Sequence, residues 1–389
     1  MIGSITRARA SWHNVVWGGV LAVGLLGLSA CAGQKPAPSA QLKGVIKIAA
    51  GWTHSCALMA EGRVKCWGNN QDGQLGDGTR TPKRVPENVV GLLGTAKELA
   101  LGERHTCVLT SAGAAKCWGG NHDAQLGDGT HADRVSPVEV ASLPDGLRMI
   151  AAGEQHTCVL TAAGGVKCWG SNRDGQLGDG TTDARSKPVS VTGLDHGVAA
   201  IAAGWRHTCA LTAAGGVKCW GNNKDGQVGD GTAVNRSAPV EVSGLSSGVT
   251  LLAAGGRHTC AGVAGTVKCW GHNERGQLGD GSTADKATPV PVVGLADIST
   301  LSAGWQHTCG LATGGGVKCW GNNEKGQTAT GGDFVRLSPT AIMASPEKAP
   351  MAVGLAAGGQ HTCILTADNV VQCRGDNEYG QLGEGMQAR

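Results

Sequence analysis

Two cysteines recur together seven times in this 389-residue chain, and that repetition constrains the fold more than any other feature. The first of each pair falls at 56, 107, 158, 209, 260, 309 and 363, in steps of 51 four times, then 49, then 54. Residues 204–232, GWRHTCALTAAGGVKCWGNNKDGQVGDGT, are one copy of the sentence around them. A unit of this length cannot bury an apolar face alone, so neighbouring copies must stack. Units of about 40–50 residues with four short strands are the mark of a β-propeller blade. The expected fold is all-β: a seven-bladed β-propeller of four-stranded antiparallel blades over residues 42–389.

Within the fourth unit, VAAIAAG (198–204) is small and apolar and suits the innermost strand. HTCALT (207–212) and GVKCWG (216–221) read as a hairpin, and NNKDGQVGDGT (222–232) as a turn-rich excursion. APVEV (238–242) suits an outer edge strand, where the missing N–H of proline does no harm. Pairing Cys209 with Cys219 leaves Ala213, Ala214 and Gly215 as a three-residue loop, whose third position requires a left-handed backbone. Gly62, Gly113, Gly164 and Gly315 occupy that position in other units, and Asn369 in the seventh. The fifth unit is one residue shorter and leaves the two-residue turn Ala264-Gly265. Loop length and turn chemistry agree on one disulfide per unit: Cys56 with Cys66, Cys107 with Cys117, Cys158 with Cys168, Cys209 with Cys219, Cys260 with Cys269, Cys309 with Cys319, and Cys363 with Cys373. Free buried thiols are one competing reading. Metal ligation is another, since His207 and Cys209 share a strand face.

The chain holds 15 cysteines, so seven pairs leave Cys31 over. Cys31 closes the run Leu28-Ser29-Ala30-Cys31. Before it come Arg7, Arg9 and the uncharged run VVWGGVLAVGLLGL (15–28), shorter than the ~20 residues of a membrane span. This arrangement resembles a bacterial lipobox. Residues 1–30 are accordingly expected to be a lipoprotein signal peptide, Cys31 the lipidation site, and residues 31–41 a flexible tether. The expected location is the cell envelope, at the periplasm or cell surface, with Ala32 favouring the outer membrane. An oxidising compartment also suits the disulfides. Removing Arg7 and Arg9 lowers the formal charge from +3 to +1, which argues against a nucleic-acid partner.

The element GWRHTCALT followed by GGVKCWGNNKDGQVGDGT resembles the repeat of the RCC1 family, G-x-x-H-T-x-A-L-T and then W-G-x-N-x-x-G-Q-L-G-x-G. The resemblance implies a seven-bladed propeller, with cysteines standing where the family carries small or apolar hairpin residues. The last unit lacks an outer PVxV strand, and the N-terminal segment PSAQLKGV (38–45) is expected to complete it. His54, His105, His156, His207, His258, His307 and His361 enter every second strand and are expected to be structural, bonded to a neighbouring backbone. Trp67, Trp118, Trp169, Trp220, Trp270 and Trp320 are expected to fill the space between blades; Arg374 replaces them in the seventh unit. DGQLGDGT lacks the EF-hand order and reads as a turn, which the sixth unit, KGQTATGGD, loses. No hydrolase elbow, His-Glu-x-x-His, P-loop or dinucleotide fingerprint occurs, so no catalytic residue, cofactor or metal is assigned.

The pair before each repeated histidine does vary: Trp52-Thr53, Glu103-Arg104, Glu154-Gln155, Trp205-Arg206, Gly256-Arg257, Trp305-Gln306 and Gly359-Gln360. In a propeller these turns ring one end of the central channel. Aromatic and arginine side chains on loops of a rigid frame are the chemistry of binding hot spots. Trp52, Glu103, Arg104, Glu154, Gln155, Trp205, Arg206, Arg257, Trp305, Gln306 and Gln360 form the candidate face. The competing reading is that the tryptophans only plug the channel. The expected function is a lipid-anchored binding module that engages a protein or envelope ligand through one end. An enzyme acting on envelope polymers, or a self-associating structural protein, is the alternative. Guanine-nucleotide exchange, known in the family, does not suit this compartment.

Overall fold

A computed structural model describes residues 42–92, 95–328, 331–343 and 350–383. These form seven antiparallel sheets, each with its strands hydrogen-bonded in chain order. In the fourth blade the strands are Val198–Ala203, His207–Thr212, Val217–Gly221 and Arg236–Glu241, from the axis outward. The outer strand starts at Arg236, two residues before the expected APVEV. The inner strands end in small residues: Ala203 lines the channel cavity with its counterparts Ala50, Ala152, Ala254, Ala303 and Ala357. Six sheets have four strands; among the described residues the seventh has three. The proposed closing strand falls partly on residues outside the described set. Leu42, the first described residue, packs with Val371 and Cys373 of the last hairpin.

The hairpin register is as the sequence predicts. Cys209 faces Cys219, Ala210 faces Lys218 and Leu211 faces Val217. The loop glycines have positive φ (Gly62 76°, Gly113 81°, Gly164 81°, Gly215 82°, Gly315 79°), and Asn369 adopts 64°. In the fifth blade Ala264 (48°) and Gly265 (79°) are both left-handed, as a two-residue hairpin turn requires. All seven disulfides are formed, each with Cα atoms 4.1 Å apart. Neither free thiols nor a His207–Cys209 metal site therefore describes these cysteines.

Each disulfide is also a packing surface. Cys158 and Cys168 share a buried cluster with Trp220 of the next blade, and Cys209 and Cys219 share one with Trp270. The same arrangement links Cys363 and Cys373 to Trp67, which closes the ring. The indoles are fully buried. Each Nε1 donates to the backbone carbonyl of the glutamine in the preceding blade's excursion, as Trp220 does to Gln176 at 2.9 Å. A Cβ at Gly178 would lie 2.6 Å from that Nε1, so glycine there is a condition of the close approach.

One seam differs. Arg374 takes the register position of the indole, opposite Thr362, and the repeat of blade six reads KGQTATGGD. At this seam Cys309 and Cys319 pack with Ile364 and no indole. Arg374 is half-buried and has no hydrogen-bond or ion-pair partner among the described residues, and burial lowers its pKa.

Candidate functional site

The recurrent histidines form a closed circuit inside the ring. Nε2 of each approaches the hydroxyl of the following blade's threonine, 2.7 to 2.9 Å away: His54 to Thr106, His105 to Thr157, His156 to Thr208, His207 to Thr259, His258 to Thr308 and His307 to Thr362. His361 closes the circuit on Ser55, 2.8 Å away. The partner is thus a side-chain hydroxyl, and not the backbone group expected from the sequence. Each hydroxyl in turn donates to a glutamine carbonyl, as Thr259 does to Gln227 at 2.9 Å. Burial holds the imidazoles neutral, at a pKa of about 3 for His207 and about 4 for His156. These groups hold blades together and touch no solvent.

The excursion aspartates are equally committed. Asp230 accepts from Thr232 N–H (3.0 Å), from its hydroxyl (2.8 Å), from Asn223 (3.1 Å) and from Arg236 (2.7 Å). These bonds outweigh burial and lower its pKa. The segment is a stapled turn.

The candidate face lies where the inner strands end. Backbone N–H groups of the varying pairs and of their neighbours bond from blade to blade, 3.0 to 3.4 Å, in a second closed ring that runs through Trp52, Glu103, Glu154, Trp205, Gly256, Trp305 and Gly359. The variable side chains therefore sit on fixed backbone. Trp52, Trp205 and Trp305 come from blades one, four and six, yet their rings meet: centroids lie 4.7 Å (52 to 205), 5.2 Å (52 to 305) and 5.7 Å (205 to 305) apart. Together with alanines and glycines at the ends of the inner strands they line a cavity of about 90 Å³. Glycines make the room: a Cβ at Gly256 would lie 2.5 Å from Trp305 Cδ1, and one at Gly359 would lie 2.8 Å from Trp52 Cδ1. The tryptophans plug the channel and keep a partly exposed surface.

Three exposed arginines stand around this cluster. Arg206 Nε donates to Glu154 at 2.7 Å and lies 3.8 Å from Asp174. The bond to Glu154 raises the Arg206 pKa. Arg104 lies 3.4 Å from Glu103 and 3.9 Å from Asp72. Arg257 lies 3.7 Å from Asp225 and sits 5.8 Å from the Trp205 ring centroid, within reach of a cation–π contact. Burial raises the Glu103 pKa despite Arg104, with Glu154 adding to the effect. Gln306 accepts from Asn322 at 3.2 Å. Gln155 and Gln360 are partly exposed and lend their backbone carbonyls to Ser171 and Asp376. All eleven candidate residues thus lie on one end of the disc. Cys31 lies outside the described residues.

Sequence reading passed over His272 and Asp285. They belong to one unit but are 13 residues apart, and their neighbour Asp225 belongs to the previous unit. The available signal was the amide pair Asn222 and Asn235 at the same places in blade four.

Fold and site together define a seven-bladed propeller with a closed channel and a charged aromatic rim. The family model described as RCC1-like domain matches residues 10–261 and 143–389. The chain belongs to the RCC1-repeat family. Among curated proteins it is similar to the ultraviolet-B receptor UVR8 of Arabidopsis thaliana, 37% identical over 232 residues, 58% of this chain and 53% of that one. It is similar also to the probable E3 ubiquitin-protein ligase HERC4 of Homo sapiens, 38% identical over 205 residues, 51% of this chain and 19% of that one. The matches thus span about half of the first relative and a fifth of the second. Among solved structures, human WBSCR16 superposes with a TM-score of 0.75 at 24% identity, covering 84% of this chain and 87% of that one. Yeast RCC1 (Prp20), solved bound to Kap60, superposes with 0.73 at 22% identity, covering 87% and 82%. At these identities the likeness is one of fold.

Proposed function

We propose that the protein is a binding module that engages a protein partner through the rim of its plugged channel. The observation that carries this is the convergence of Trp52, Trp205 and Trp305, flanked by exposed Arg104, Arg206 and Arg257, on a rigid backbone ring. Aromatic and arginine anchors fixed before binding lose little freedom on association. Protein binding has a precedent in the fold, since yeast RCC1 was solved bound to Kap60. The module works outside the cytoplasm, anchored by lipid at Cys31. The lipobox-like run and the seven disulfides support that setting.

The test is site-specific photo-crosslinking in the producing cell. Probes at positions 206 and 257 occupy the rim; a probe at Ala214 occupies a hairpin tip at the other end of blade four. A discrete protein adduct from both rim positions and none from 214 supports the proposal. The same adducts from 214, or none from the rim, would overturn it.

A further inference from the structure

Three equivalent positions recur where one blade's excursion meets the next blade, and their chemistry differs between seams. Between blades three and four they are Asp174, Asn222 and Asn235. Both amides donate to Asp174 Oδ1, at 3.0 and 2.8 Å, so the carboxylate is satisfied. Between blades four and five the same positions hold Asp225, His272 and Asp285. The amide donors are gone, and two carboxylates and an imidazole face one another.

The geometry there is specific. His272 Nδ1 lies 3.4 Å from Asp285 Oδ1 and 3.8 Å from Asp225 Oδ1. His272 is 7% exposed, and its Nδ1 has no hydrogen-bond partner. All three atoms lie within 4.8 Å of one another. Ligand atoms around a tetrahedral zinc, with bonds of about 2.0–2.1 Å, stand about 3.3 Å apart, so a small closure completes the set. Asp285 is already oriented, because its Oδ1 accepts the Asn273 N–H at 2.7 Å. Glu274 Oε2 lies 3.6 Å from His272 Nε2, where a carboxylate would steer the imidazole to present Nδ1. The seam between blades one and two shows what a committed version looks like. There Asp133 is taken by Arg80 at 3.1 Å and His122 is exposed; an arginine flanks the first aspartate in both seams, Arg104 at 3.9 Å from Asp72 and Arg257 at 3.7 Å from Asp225.

We propose that Asp225, His272 and Asp285 bind a divalent first-row transition ion, of which Zn²⁺ is the natural probe. One imidazole with two carboxylates suits such an ion better than Ca²⁺ or Mg²⁺, which favour all-oxygen sets. Three protein ligands leave a coordination position for water or for a donor group of a partner. Asp225 is also the neighbour of Arg257, so the ion sits beside the rim.

The experiment titrates the chelator-treated full chain with Zn²⁺ by calorimetry. Co²⁺ serves as a second probe, read by its visible absorption. The comparison protein is the H272N/D285N double variant, which rebuilds the hydrogen-bonded arrangement of blade four and should fold as the parent does; H122N is the control. The expected result is one Zn²⁺ equivalent per chain that is lost in H272N/D285N and kept in H122N, with the Co²⁺ band following the same pattern. Equal stoichiometry in the parent and the folded double variant would overturn the proposal. So would no binding by the parent at millimolar Zn²⁺. If the double variant melts early, H272N and D285N singly give the same comparison.

Discussion

His207 donates its Nε2 proton to the hydroxyl of Thr259, 2.9 Å away in the next blade. The direction is fixed because Thr259 gives its own proton to the Gln227 carbonyl. A hydroxyl has one proton, so toward the imidazole it can only accept. His207 is therefore the Nε2–H tautomer, and the same argument runs around all seven blades. Thr259→Val removes the acceptor and leaves a buried N–H unpaired, at a cost of about 1–3 kcal/mol. Thr259→Ser should be nearly neutral, since Ser55 already fills this role in blade one. Urea unfolding of the two variants checks both.

The histidine circuit also sets a pH response. In the unfolded chain the imidazoles titrate near 6.5. In the fold burial holds His54, His105, His207, His258 and His307 at about 3, and His156 and His361 at about 4. Above pH 6.5 both states are neutral and these groups leave stability unchanged. As pH falls below 6.5 the unfolded chain takes up protons that the folded one cannot. Stability then falls by about 1.4 kcal/mol per pH unit for each histidine. Melting temperatures measured from pH 8 to 4 should be level down to about 6.5 and then drop steeply. A level profile down to pH 4.5 would contradict the neutral, buried assignment.

The seam between blades six and seven should be the weakest. Trp220→Ala removes a fully buried indole and its bond to Gln176, and should cost about 3–5 kcal/mol. Arg374→Ala removes a half-buried cation without a partner among the described residues and should cost less than about 1 kcal/mol. Hydrogen exchange offers a direct comparison: amides of His361–Thr366 should open before those of His207–Thr212. The reverse order would show that Ile364 compensates for the missing indole.

Each disulfide closes a short loop and packs against the next blade. Replacing Cys209 and Cys219 by serine should cost about 2–3 kcal/mol by loop entropy alone. The polar hydroxyls beside Trp270 should add to that. Chemical unfolding with and without reductant measures the whole set. A midpoint indifferent to reductant would mean that blade packing, and not the disulfides, governs stability.

Much of this protein was written locally. The period gave the blade count, and hairpin length with a glycine or Asn369 at the third loop position gave the cysteine register. Such features depend only on neighbours in sequence and on backbone sterics, so one chain reveals them without a structure. What the sequence left open depends on which repeats meet across the axis or across a seam. Ring closure brings Trp52, Trp205 and Trp305 into contact although they are about 100 to 250 residues apart in the chain. It sets Asp225 of one unit against His272 and Asp285 of the next. Local turn chemistry and period determined the blade; the geometry of closing seven blades decided which side chains became neighbours, because that distance is set by rotation about the axis and not by spacing along the chain.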